Sequence, residues 1–248
     1  MRFLQSRYGL VQALAATVVL LAAIFSRGFG SFWQQFVHGL AQTMTPKVAL
    51  VSMAIMSAFF AAICLALFAS TCLSTVVFGR KAPEAPAVKP DRLKAVRLAL
   101  LVAVPVSLVA LGLNVLGAHA IEWCTGVRPA DQDLVKCFVD PHSSVSFRAL
   151  LVFAVLFQAP LLEEPLFRGI IFRGFARSLP LAAALALSGF IFALVHVNAA
   201  SFLALWYLGV AFAWIYARTG TILAPMTMHL VFNGVNLVLL FLFPDLAT

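Results

Sequence analysis

A chain of 248 residues that is 63% hydrophobic and only 10% charged lies outside the range of soluble globular domains, which carry about 25% charge. Its formal net charge of +8 would suit nucleic acid only if the cations formed a stripe. Instead they gather between apolar runs, Arg80, Lys81, Lys89, Arg92, Lys94 and Arg97 in one cluster and Arg168, Arg173 and Arg177 in another, a pattern of membrane topology that excludes a nucleic-acid surface.

The expected fold class is all-α, a polytopic transmembrane bundle of about seven spans, a bilayer crossing needing ~20 apolar residues. Arg2 and Arg7 precede the first apolar run, Gly9 to Phe25. No small-x-small cleavage site comes after it, so it reads as a retained helix over 9–26 rather than a secretory signal. A second span, 48–78, is long enough to tilt, and it carries Cys64 and Cys72 as inert packing residues. A linker from Gly79 to Lys94, rich in Pro, Ala and Lys, leads to a span over 95–117. The loop from Ala118 to Ser146 holds four of the nine acids, together with Cys124 and Cys137, which are placed to pair if that loop faces an oxidising compartment. Spans over 147–178, 181–198, 202–217 and 222–243 complete the chain. Residues 1–146 read as N-terminal membrane helices with polar loops and 147–248 as the core that carries chemistry, in one integrated membrane domain. By the positive-inside rule the amino terminus is cytoplasmic and the carboxyl terminus outside. The expected partners are membrane lipids.

Between Pro141 and Pro244 the only acids are Glu163 and Glu164. Ionisable groups at such depth cost several kcal/mol (about 2.5–3.5 on insertion scales) unless paired or hydrated, and they mark function. Adjacent helical positions point about 100° apart, so the two carboxylates need not share a role. Glu164 and Arg168 stand four apart in the favourable acid-first order and are expected to pair. Glu163 is left free as a general base. Pro160 and Pro165 flank the pair, and each frees a carbonyl one turn earlier, a loosening that in membranes faces protein or a wet cavity.

His196 ends the next helix, with Phe192 one turn before it. Pro180 lies 17 residues after Glu163 and 16 before His196, so in an antiparallel hairpin both residues stand about 25 Å from the turn, at one level. His229 and Asn233, four apart on the last helix, offer two polar groups in line. They suit an oxyanion site or, through the histidine, a metal; as glue between helices they would also make sense.

E-E-P-L-F-R at 163–168, F-A-L-V-H at 192–196 and H-L-V-F-N at 229–233 together resemble the three motifs of the type II CAAX prenyl endopeptidase and bacteriocin-processing (CPBP, or Abi) family. Gly169, Ser188 and A-R-T-G-T-I-L-A-P at 217–225 fit the flanking text, and the resemblance covers about residues 147–240. It implies an intramembrane endopeptidase acting on membrane-associated or lipid-modified protein or peptide substrates. By motif position Glu163 would activate water, His196 would assist, and His229 and Asn233 would hold the oxyanion. Glu164, Arg168 and Phe192 would support the site. The chain lacks the close H-x-x-x-H pair of common zinc peptidases, so no cofactor is favoured. Zinc on Glu163, His196 and His229 is the alternative. Two other functions compete: a non-catalytic scaffold or bacteriocin-immunity protein, and a small transporter or proton relay, which the absence of an inverted repeat disfavours.

Overall fold

The computed structural model describes residues 91–129 and 143–243, together with Val135 and Phe138. The expected spans over 9–26 and 48–78, the cations Arg2, Arg7, Arg80, Lys81 and Lys89, and Cys64, Cys72 and Cys137 lie outside the described residues. Cys124 is exposed and carries a free thiol.

The described residues form helices and no strand. Helix α1 spans Arg92–Thr125. Asp91 caps it by accepting the Lys94 amide at 3.1 Å, and that hydrogen bond holds the Asp91 carboxyl below its ordinary value. Gly126, at φ 70, ends it by returning its N–H to the Glu122 carbonyl, a left-handed close that suits glycine. One face of α1 is a ladder of small buried residues, Ala95, Ala99, Ala103, Ser107 and Ala110, which lets neighbouring helices approach closely. Farther along, a β-carbon at Gly117 would collide with the Ala200 carbonyl.

Helix α2 spans Val145–Ala176 but is not a uniform α-helix. Regular turns over Val145–Phe153 give way to a π turn over Ala154–Gln158. Next come an α segment over Ala159–Glu164 and a second π stretch over Pro165–Phe172. Where the sequence suggests kinks at Pro160 and Pro165, the structure widens the helix instead. Helix α3 covers Leu181–Val195, α4 Phe202–Thr219 and α5 Leu223–Leu242. These bounds fall within a few residues of the expected spans, because Pro180 and Gly220 interrupt the apolar runs as helix start and left-handed stop.

Helices α1, α2, α4 and α5 are long and apolar enough to cross a bilayer. They mark an integral membrane protein. Helix α3 has only 15 residues, so it rises about 22 Å, short of the ~30 Å hydrocarbon core. His196 caps its carboxyl-terminal end. Val197, held at φ 49, turns the chain sharply at this point.

Helices α3 and α4 meet at two glycines. A β-carbon on Gly209 would stand 2.7 Å from the Gly189 Cα and 3.0 Å from its carbonyl oxygen. Trp206 secures the crossing from the side, donating its indole N–H to the Ala186 carbonyl at 3.0 Å. Because the obstacle is backbone rather than a flexible side chain, Gly209→Ala is expected to push the helices apart and lower stability by about 1–3 kcal/mol. A reduced thermal midpoint in detergent would show it, and an unchanged midpoint would contradict the close packing.

Candidate active site

Glu163 and Glu164 sit in the α segment between the two π stretches of α2, and their side chains diverge as the helix requires. Glu164 is fully buried. Its Oε1 accepts from Arg168 Nη1 at 3.2 Å, and Arg168 Nε lies 3.1 Å from Oε2 as an ion pair without hydrogen-bond alignment. The expected pairing of Glu164 with Arg168 is present.

Arg168 is also fully buried. Its Nη2 donates to the Gly209 carbonyl at 3.3 Å. The guanidinium lies 4.7 Å from the Phe192 ring centre, 5.1 Å from that of Phe212 and 5.8 Å from that of Phe167. A planar, weakly hydrated cation between aromatic rings keeps much of the stabilisation that water would have given it. Phe212 and Gly209 carried no signal in the sequence. One is among 23 phenylalanines, and the other contributes only its backbone.

His229 is buried, and its Nδ1 stands 2.8 Å from Glu164 Oε1. The structure thus ties His229 to Glu164, the carboxylate expected to serve Arg168 alone. A carboxylate accepts only, so Nδ1 carries the proton and Nε2 is the nitrogen left to work. Phe212 stacks on the imidazole, with ring centres 5.1 Å apart.

Glu163 faces His196. Its Oε2 lies 3.9 Å from His196 Nε2, and the two side chains keep 22% and 31% of their surface exposed, so neither is sealed off. The equal rise of the two helices from Pro180 brings them together. His196 Nδ1 stands 2.6 Å from the Phe192 carbonyl, which can only accept, so that nitrogen bears the hydrogen and Nε2 presents a lone pair towards Glu163. At 3.9 Å no direct hydrogen bond exists, and Glu163 Oε2 has no hydrogen-bond partner. Both groups are acceptors, so a water donating to both would join them. Phe192 serves twice, its carbonyl orienting His196 and its ring covering Arg168.

Asn233 points elsewhere. Its Nδ2 donates to the Val155 carbonyl in the first π turn at 2.7 Å. Asn236 donates to the Phe232 carbonyl one turn back in its own helix.

Among the described residues no group of three His, Cys, Asp or Glu side chains is arranged to hold a metal ion. Glu163 and His196 stand together, while His229 is turned to Glu164. The Glu163, His196 and His229 set does not fit zinc as arranged.

Residues 145–235 match the family model described as type II CAAX prenyl endopeptidase Rce1-like. This segment is Rce1-like. It runs from the start of α2 into α5 and contains every side chain of the site just described, while α1 lies outside it. The match implies a protease, a hydrolase, in a chain whose helices are apolar enough to span a membrane. No curated protein and no solved structure matches the chain.

Proposed function

We propose that the Rce1-like segment is an intramembrane endopeptidase in which Glu163 activates water, acting on peptides carried at or in the membrane. One observation carries the reading. A carboxylate oxygen without a hydrogen-bond partner faces the lone pair of a histidine whose other nitrogen is committed, 3.9 Å away, inside an apolar bundle.

A water between Glu163 Oε2 and His196 Nε2 loses a proton to Glu163 as its oxygen bonds to the peptide carbonyl carbon. His196 holds the water in line. The carbonyl oxygen becomes an oxyanion, for which the donor is Nε2–H of His229. That donor exists only in the imidazolium, because Nδ1 already carries the other hydrogen towards Glu164. Collapse of the tetrahedral species breaks the C–N bond, and the proton held by Glu163 passes to the leaving nitrogen. The π stretches around the glutamates support the same reading, since such widenings of α-helices are frequent at functional sites.

The direct test compares peptide termini in membranes carrying the wild type and Glu163→Ala. Cleavage products confined to the wild type would support the reading, and identical termini would remove it. Turnover is expected to proceed without a bound metal. Purified enzyme stripped by a chelator, its metal content checked by mass spectrometry, should keep its hydrolytic rate. Loss on stripping with recovery on added zinc would instead give His196 and His229 ligand roles.

A further inference from the structure

The first π turn leaves one backbone group without its helical partner. Ala159 donates its N–H to the Ala154 carbonyl, five residues back. In an ordinary α-helix that same N–H would serve Val155. The next donor in the π register, also aimed at Val155, would come from position 160, and position 160 is proline, which has no N–H. The Val155 carbonyl has therefore lost both of its helical donors. Inside a membrane an unpaired carbonyl has no water to turn to, so it needs a replacement donor. Asn233 supplies one. Its Nδ2 reaches across from α5 to the Val155 oxygen at 2.7 Å.

We propose that Asn233 is a positioning residue that substitutes for the N–H missing at Pro160 and so holds the π turn that aims Glu163. A π turn accommodates an extra residue, so the helix beyond it is rotated by about 100° relative to the helix before it. Glu163 lies five residues beyond the end of the turn at Gln158. Relaxing the turn to α would rotate Glu163 towards the place of Glu164 and bring apolar Leu162 towards His196. A carboxylate facing a histidine would be exchanged for a hydrocarbon. The amide of Asn233 makes the π register the satisfied one and also ties α5, which carries His229, to α2. The catalytic part of this inference rests on the reading of Glu163 proposed above. The structural part does not.

The test restores the missing donor. Asn233→Leu keeps the volume and removes the amide, and it is expected to lower both the thermal midpoint and kcat. Pro160→Ala returns an N–H to position 160, from which it can serve Val155. The Pro160→Ala/Asn233→Leu protein is then expected to regain much of the midpoint and at least about tenfold in kcat over Asn233→Leu, a non-additivity that only coupled sites show. Strictly additive losses would overturn the inference. Recovery of the midpoint without recovery of kcat would also overturn it, placing Asn233 at the substrate. If Asn233→Leu does not fold, a folded double variant supports the inference and an unfolded one defeats it. The midpoints are read without any substrate, so failure of the peptidase reading and failure of the cap at Val155 are told apart.

Discussion

Glu163→Gln is expected to remove peptide hydrolysis almost entirely, lowering kcat by about 10²–10⁴-fold, the range that a positioned general base contributes. The amide has the shape of the acid but no proton affinity at the oxygen facing His196. Stability should barely change. Glu163 forms no hydrogen bond at Oε2, and His196, which turns a lone pair to it, is 3.9 Å away. Removing a charge that nothing neutralises at close range costs the folded state little, and it lifts part of the desolvation penalty. Paired measurements of peptide cleavage and thermal midpoint on purified protein separate the two effects. A variant cleaving at the wild-type rate would end the assignment of Glu163 as base, and a large drop in midpoint would make it a structural residue.

Glu164→Gln is expected to do the reverse in stability, destabilising the protein by about 3–5 kcal/mol, because breaking a buried ion pair strands the remaining charge. Arg168 is fully buried and would lose the carboxylate that pairs with it, keeping neutral acceptors such as the Gly209 carbonyl and its three aromatic neighbours. His229 would at the same time lose the carboxylate 2.8 Å from its Nδ1. The double variant Glu164→Gln/Arg168→Met distinguishes these consequences. Replacing a buried pair with neutral side chains is often close to neutral in stability, so the midpoint should recover. The hydrolytic rate should stay low, since no carboxylate then orients the His229 ring. Denaturation midpoints and kcat measured on both variants decide the matter. Wild-type stability in Glu164→Gln would show that Arg168 does not depend on this carboxylate.

The pairing of Glu164 with Arg168 was legible because i and i+4 on one helix are neighbours whatever surrounds them. The meeting of Glu163 and His196 was legible for a related reason. Residues nearly equidistant from Pro180 on two antiparallel helices reach about the same level, and the π stretch over Pro165–Phe172 does not undo that match. His229 was harder. Its position on α5 was clear, but nothing local distinguishes Glu163 from Glu164 as its partner, because two adjacent residues differ by only one step of rotation. The same ambiguity hid Val155. Proline at 160 predicts a freed carbonyl four residues back, and the π register moves the missing bond to the residue before.

From the sequence alone came the membrane as solvent, the bounds of α2 to α5 to within a few residues, the shared level of Glu163 and His196 and the pairs within one helix, whereas α1 runs on to Thr125, into the stretch expected to be a loop. Each of these depends on composition or on distance along a single axis. The tertiary structure decided the contacts between helices, from Arg168 to Gly209, from Glu164 to His229 and from Val155 to Asn233, which lie 41, 65 and 78 residues apart in the chain. Such contacts depend on the rotation of each helix about its own axis and on how closely two axes approach. Spacing along the chain specifies neither. The π turns of α2 set the rotation, and the backbone contact of Gly189 with Gly209 sets the approach.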